Sequence, residues 1–181
     1  SRILNVAEDK EIKRILVGID IDGEELLLAA KIGGIDLVIS HHPRGKALAG
    51  IGDVMDMQVD LLALLGVPVN IAEKLLKKRI EEVTRGISPS NHNRAVDMAR
   101  HLNLPFMCLH SSCDNLAAKF IDERIKKDRP EFLEDILKIL KNIPEYKEAS
   151  KIGAGPQIFV GDKENRVGKI VMTEMAGGTE G

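Results

Sequence analysis

The apolar positions of the chain alternate between short continuous runs and longer stretches in which they recur at helical spacing. The short runs predict strands at 14–19, 35–39, 67–71 and 105–109. The longer stretches predict helices at 23–32, 53–66, 73–85, 92–103, 115–128 and 130–142. Gly33 and Gly34 mark the end of the first helix, and the continuously apolar run 35–39 is typical of a strand covered on both faces.

Strands that alternate with helices predict an α/β fold, a layered mixed and largely parallel sheet flanked by helices. The runs 157–161 and 169–173 flank the turn-forming DKENR and predict a hairpin at one edge. We interpret residues 1–181 as one α/β unit. The start at Ser1 without Met and the turn-like end TEMAGGTEG lead us to expect a fragment of a longer, two-part chain whose C-terminal half begins near residue 151.

The composition argues against a membrane and against nucleic acid as partners of the chain. Apolar residues make up 44%, charged residues 30%, and the net charge is −2, as in a soluble globular protein. No apolar run reaches the roughly 18 residues that a membrane span needs, and the near absence of aromatic residues argues against nucleic acid. Two cysteines and no secretory signal indicate a cytoplasmic protein.

Two polar loops follow predicted strands and carry the candidate chemistry. SHHPRGK (40–46) comes directly after the strand 35–39, and HSSCDN (110–115) directly after the strand 105–109. Ligands of open α/β sheets bind beyond the carboxyl ends of the strands, where such loops converge. His41, His42, His110 and Asp114 are therefore predicted to bind divalent metal ions, for which His and Asp together admit Zn, Mn, Fe or Ni.

Adjacent side chains on an extended backbone point in opposite directions, so His41 and His42 are expected to serve two ions rather than one. A carboxylate at Asp114 could bridge two cations while the His110 imidazole binds one of them. The alternative for Asp114 is a helix N-cap, because it precedes the helical run NLAAKF.

Other polar residues near these loops have two interpretations each. Arg44 and Lys46 could neutralise a substrate phosphate or could be solvated surface charges. His92 could contact substrate, although its position before a helical run also suits a cap region. Cys113 could be a soft metal ligand or a free thiol, and Glu174 with its Gly-rich neighbours could form an anion nest.

Three stretches resemble the Nif-three-like family, the NGG-one-interacting-factor proteins, whose bacterial members are often described as GTP cyclohydrolase I type 2 homologues. They are IDLVISHHP, SPSNHNRAVDMARHLNLPFMCLHSSCDN and GKIVMTEMAGGTEG. The resemblance implies a site with two metal ions, in which His41 and His42 serve one ion each, Asp114 bridges them and His110 is a further ligand. It also implies a ring-shaped homohexamer, and a further His and acidic residue from a C-terminal part that this sequence does not include.

The sequence thus predicts a hydrolase-like protein with two divalent metal ions and a small-molecule substrate, by resemblance a nucleotide such as GTP. One alternative is a metal-stabilised regulatory or interaction protein without catalysis, with the helices 115–142 as its interface. A second is a phosphoesterase of the Asp-His-His type, for which Asp20, Asp22 and Gly23 mimic one motif. The second motif of these phosphoesterases is a strand that ends in Asp-His-His. It is incomplete here, because Ser40 stands in place of the Asp.

Overall fold

The computed structural model describes residues 1–7 and 11–170. These residues form two compact units, 1–114 and 115–170, which are described separately. The strands of the first unit are β1 (Arg2–Asn5), β2 (Ile15–Gly18), β3 (Leu37–Ser40) and β4 (Phe106–Cys108). Its helices are α1 (Gly23–Ile32), α2 (Lys46–Ala49), α3 (Ile51–Met55), α4 (Met57–Leu64), α5 (Val69–Ile87) and α6 (Arg94–His101).

The four strands form one mixed sheet in the order β1-β4-β3-β2. Strands β2, β3 and β4 are parallel, and β1 pairs antiparallel with β4 at one edge. The carboxyl ends of the three parallel strands therefore lie at the same edge of the sheet. The loops that follow β2, β3 and β4 begin side by side at this edge.

The main core of the first unit lies between one face of the sheet and the helices α1 and α6. Its fully buried side chains come from both layers: Leu26, Ala29, Val38, Ala95, Ala99 and Phe106. On the strand predicted to be covered on both faces, Val38 is fully buried, whereas Leu37 and Ile39 are only partly buried by the described residues. A second, smaller core forms around Val59, Ala72 and Leu76 of α4 and α5.

Local signals explain where α1 begins and ends. The Glu25 side chain accepts a hydrogen bond of 2.8 Å from the backbone N–H of Asp22, the residue before the helix. Gly33 follows the helix with φ of +72°, a conformation that glycine adopts without a Cβ clash, and its N–H donates to the Ala29 carbonyl. Both ends match the prediction from the sequence.

The second unit contains most of α7 (Ser111–Asp128), whose first turn belongs to the first unit, together with α8 (Leu133–Lys141) and α9 (Pro144–Lys151). Ile125, Ile139 and Ile143 are its buried apolar residues among those described. The segment after α9 returns to the start of α8, where the N–H of Leu133 donates to the Asn165 carbonyl at 3.0 Å.

Several predicted elements were wrong. No strand forms at 67–71, because Pro68 caps α5 and its carbonyl accepts hydrogen bonds from the N–H groups of Ile71 and Ala72. A short apolar run does not by itself distinguish a strand from the first turn of a helix. The predicted helix 53–66 is divided among α3 and α4, and β1 and α9 were not predicted.

The predicted hairpin does not form within residues 157–170, the part of it that the structure describes. Residues 157–161 form bends and irregular backbone rather than a strand, and residues 171–173 of its second arm lie outside the described residues. The antiparallel edge of the sheet comes from β1 instead. The predicted start of a C-terminal half near residue 151 coincides with the end of α9 and stays a prediction.

We expect Leu26→Ala to lower the free energy of unfolding by about 2–5 kcal/mol, because Leu26 is fully buried between α1 and the sheet. Leu64→Ala is the matched control, since Leu64 also lies in a helix but is 85% exposed, and should change the stability by less than about 0.5 kcal/mol. Urea denaturation measures both. Equal losses in the two variants would contradict this assignment of the core.

Candidate metal centre

The register of the parallel strands determines which side chains meet at the carboxyl edge. The residues paired across β2, β3 and β4 at this edge are Gly18, Ser40 and Cys108. Each of these residues ends its strand, and the residues two positions later in the chain are Asp20, His42 and His110. Because the strands are parallel and in register, equal offsets bring these three side chains to the same edge of the sheet. The sheet thus assembles a polar cluster from three separate parts of the sequence.

The chain bends directly after Ser40, and this bend orients the adjacent histidines. The backbone N–H groups of His41 and His42 donate to the carbonyls of Gly18 and Ile19, both at 2.8 Å. The fully buried Ser40 hydroxyl donates to the His42 carbonyl at 2.6 Å. The expectation that the two rings point in opposite directions was therefore wrong, because residues 41 and 42 are not extended strand. Their ring centroids lie 5.3 Å apart.

Three imidazoles converge at this edge. His41, His42 and His110 each offer a ring nitrogen, and the three nitrogens lie within 4.8 Å of one another. The His41 and His110 rings are stacked, with centroids 4.5 Å apart. Three neutral imidazoles at this spacing are a suitable donor set for a divalent transition metal ion.

Asp114 adds a carboxylate that contacts two of these rings. Its Oδ1 lies 3.2 Å from His41 Nε2, and its Oδ2 lies 2.7 Å from His110 Nδ1. The alternative of an N-cap was wrong, because α7 begins at Ser111 and Asp114 lies within its first turn. The carboxylate is directed toward the imidazoles. The donor set therefore comprises three imidazoles and one carboxylate.

The electrostatics favour neutral imidazole at His110. Burial lowers the pKa of His110 from its ordinary value, and the positive charges that His41 and His42 would carry act in the same direction, against the Asp114 carboxylate. A metal ligand must be unprotonated, so a depressed pKa reduces the competition from protons for this ring.

The ring nitrogens of His41 and His42 that face away from the cluster have hydrogen-bond acceptors. His41 Nδ1 lies 3.2 Å from the Leu109 carbonyl, and His42 Nδ1 lies 2.8 Å from Asp20 Oδ1. Asp20 cannot donate, so its contact places the proton of a neutral His42 ring on Nδ1 and leaves the Nε2 lone pair free. His41 has an acceptor beside each nitrogen, because its Nε2 lies 3.2 Å from Asp114 Oδ1, and these contacts do not select one tautomer. Metal-binding histidines typically have such a partner on the second nitrogen.

The remaining predicted residues have different surroundings. The Arg44 side chain is 16% exposed and contacts Asp20 and Asp22 at 3.0 and 3.5 Å, so it already has two carboxylate neighbours, whereas Lys46 is exposed. The His92 carbonyl accepts a 2.8 Å hydrogen bond from Gly45 in the loop after the histidine pair. No described group pairs with the buried Nε2 of His92. Substrate binding by these three residues stays a prediction.

Two further predicted candidates were Cys113 and Glu174. Cys113 is an exposed free thiol in the first turn of α7. It does not contribute to the group of three imidazoles. Glu174 and its glycine-rich neighbours lie outside the described residues.

Sequence reasoning missed the role of Ser40, and it placed Asp20 near His42 only in the phosphoesterase alternative. The signal for Asp20 was present, since an acidic residue follows β2 at the same offset at which His42 follows β3. Neither segment alone shows that β2 and β3 pair with Gly18 opposite Ser40, which is what brings Asp20 beside His42.

The comparison with solved structures supports the resemblance to the Nif-three-like family. No family model and no curated protein matches the sequence. The crystal structure of a NIF3 superfamily protein from Sphaerobacter thermophilus superimposes on the chain with a TM-score of 0.76 and 29% sequence identity. The chain is thus similar in fold and in sequence to a NIF3 superfamily protein. This similarity confirms the predicted resemblance to the Nif-three-like family and the α/β fold with a largely parallel sheet.

The chain spans 61% of the length of that relative, and 93% of its own residues are matched. The activity, ligands and assembly of a whole NIF3-like protein are therefore proposals for this chain. Among the described helices, none has the length and apolar character needed to cross a bilayer.

We expect the metal-free protein to lose stability as the pH falls below about 6.5, the ordinary pKa of histidine. Because the pKa of His110 is lower in the folded state, the unfolded chain binds more protons in this range, and the free energy of unfolding decreases. Denaturant midpoints between pH 7.5 and 5.5 measure this slope. His110→Gln should make it shallower.

His101→Gln is the control for the loss of an exposed imidazole elsewhere in the same unit. If the two variants have the same slope, His110 does not contribute as described.

Proposed function

We propose that this NIF3-like chain provides most of a metal centre, of one or two divalent ions, for a metal-dependent hydrolase. The observation that carries the proposal is the convergence of three imidazole nitrogens within 4.8 Å, with the Asp114 carboxylate in contact with two of the rings. Carboxylate and imidazole donors suit Zn, Mn, Fe or Ni. Because its two oxygens contact two different rings, the Asp114 carboxylate would bridge the two ions if both are bound.

The residues fit a divalent ion by their protonation as well as their position. The contact with Asp20 places the proton of His42 on Nδ1, which leaves Nε2 for an ion, and the pKa of His110 is depressed. A bound ion would acidify a water molecule and polarise the bond to be hydrolysed. Asp114 would balance the added positive charge, since it is the carboxylate nearest to the rings.

The proposed substrate is a small molecule, and a nucleotide such as GTP is the first to test. The resemblance of the sequence to GTP cyclohydrolase I type 2 homologues supports this choice, although fold-level analogy is a weak guide to chemistry. The exposed Lys46 on α2 follows the histidine pair by four residues and is a candidate for contact with a phosphate. Arg44 is less suited, because its guanidinium is already paired with Asp20.

We expect the purified protein to bind Zn²⁺ or Mn²⁺, and His42→Ala or Asp114→Ala to weaken the affinity by about tenfold or more, since each removes a donor from the cluster. Isothermal titration calorimetry gives the affinity, and elemental analysis of protein purified without chelator gives the number of ions. His101→Ala is the control and should bind as the wild type does. Wild-type protein that binds no divalent ion would exclude the metal centre.

We expect metal-loaded protein to hydrolyse a member of a panel of nucleotides and phosphoesters, and chelation to abolish the activity. His42→Ala should reduce kcat/KM by at least about a hundredfold while the protein stays folded, because the activated water depends on the ion. Full-length protein, extended to the length of its longer relative, belongs in the same assay. Metal-loaded full-length protein without turnover on the panel would favour the non-catalytic alternative.

One observation favours that alternative, a metal-stabilised regulatory or interaction protein. Helix α7 exposes Leu116 and Phe120 on one stripe, by 70% and 49%, as expected for a surface that contacts another protein. A homo-oligomer, a hexamer by resemblance, is the proposed assembly in either case. Light scattering of metal-loaded protein would measure it.

The phosphoesterase alternative also gains one observation, since Asp20 lies next to His42 as that interpretation requires. However, the guanidinium of Arg44 lies beside both Asp20 and Asp22, where an Asp-x-Asp motif would need an ion. This alternative remains the lesser one, and the phosphoesters in the panel test it.

A further inference from the structure

We propose that Asp20 and Arg44 are positioning residues, which hold the His42 ring in the tautomer that binds a metal ion through Nε2. The inference rests on the proposed metal centre and adds two residues that would not touch the ion. It begins from the contact of 2.8 Å between His42 Nδ1 and Asp20 Oδ1. An ionised carboxylate only accepts hydrogen bonds, so the proton of this contact belongs to Nδ1.

The tautomer matters because the His42 side chain is 44% exposed, and its described hydrogen bond is the one to Asp20. Free histidine prefers the tautomer with the proton on Nε2, which would block the nitrogen that faces an ion. Asp20 reverses that preference and also fixes the rotation of the ring about its χ2 angle. His41 differs, because its two ring nitrogens lie near the Leu109 carbonyl and Asp114 Oδ1, both at 3.2 Å. His42 depends on one side chain from the loop after β2.

Arg44 holds Asp20 in place for this contact. Its Nη2 donates to Asp20 Oδ1 at 3.0 Å, while Nε donates to the Ile21 carbonyl at 3.0 Å and Nη1 to the Pro43 carbonyl at 3.1 Å. The two backbone contacts anchor a guanidinium that is largely buried, with 16% of the side chain exposed. Arg44 therefore connects the loop after β2 to the loop after β3, with the Asp20 carboxylate between the guanidinium and the imidazole.

The contacts of Asp20 with His42 and Arg44 are too weak to add much to the stability of the fold, so we infer that they orient the His42 ring. The Asp20 side chain is 65% exposed, and ion pairs at such positions contribute roughly 0–1 kcal/mol to folding. A carboxylate partner on a metal-binding histidine, in contrast, typically changes metal affinity by about 10–100-fold. Replacing Asp20 should therefore affect metal binding far more than the stability of the protein.

The first measurement is the tautomer of His42 in metal-free protein, from long-range ¹H–¹⁵N correlation spectra at a pH where the imidazoles are neutral. The His42 signals are assigned by their loss in His42→Gln. The wild type should show the proton on Nδ1, and Asp20→Ala should shift the population toward Nε2. A merely structural role for Asp20 would not move this signal. An unchanged tautomer in Asp20→Ala overturns the proposal.

The second measurement is Zn²⁺ affinity of the intact chain by competition with a chromophoric chelator. Asp20→Ala should bind about 10–100-fold more weakly. Asp20→Asn, which keeps an acceptor oxygen but loses the charge, should lie between Asp20→Ala and the wild type. Arg44→Lys should lose less than Asp20→Ala, because it keeps the charge but not the three contacts of the guanidinium.

Asp97→Ala is the matched control, because it removes an exposed aspartate that pairs with Arg100 on α6. If wild type binds Zn²⁺ and Asp20→Ala binds within about twofold of Asp97→Ala, the positioning role is overturned while the metal centre stands. If wild type binds no Zn²⁺, the proposed metal centre fails, and this inference fails with it.

Discussion

The in-register pairing of three parallel strands is the constraint on which the candidate centre depends. Backbone hydrogen bonds across β2, β3 and β4 align Gly18, Ser40 and Cys108, and the polar residues follow at equal offsets. A slip of one residue in one strand would turn its polar side chain to the other face of the sheet. The apolar residues on the buried face, such as Val38 and Phe106, oppose such a slip, so the packing of the core also fixes the positions of the imidazoles.

Hydrogen-bond partners around the three imidazoles orient the rings so that they can serve as metal donors. Ser40 holds the bend that brings two adjacent rings to one side, and Asp20 accepts a hydrogen bond from His42 Nδ1. Asp114 supplies the negative charge from the first turn of α7. Three imidazoles without these partners would be free to rotate and to take the wrong tautomer. The tautomer of His42 is thus favoured by Asp20, a residue that is not among the proposed metal ligands.

Much of the fold was predictable because its elements have strong local signals. The run RILVGI, the helix with Gly33 at its end and the run IDLVI appear as β2, α1 and β3, since β-branched apolar runs and a C-terminal glycine act locally. The errors occurred where local signals are ambiguous. The apolar segment around Pro68 begins a helix, and β1 is a strand of four residues that becomes recognisable only when paired with β4.

The sequence by itself determined the α/β class, the resemblance to the Nif-three-like family and the residue types of the centre, because repeating apolar patterns and a histidine pair after an apolar run are properties of short segments. The tertiary structure decided that the rings of His41 and His42 converge rather than diverge, that Asp114 contacts two imidazoles instead of capping a helix, and that Arg44 pairs with Asp20. The reason is that each of these contacts joins segments about 20 or more residues apart or depends on a bend after β3. Their geometry is set by strand register and backbone direction, which no single segment encodes.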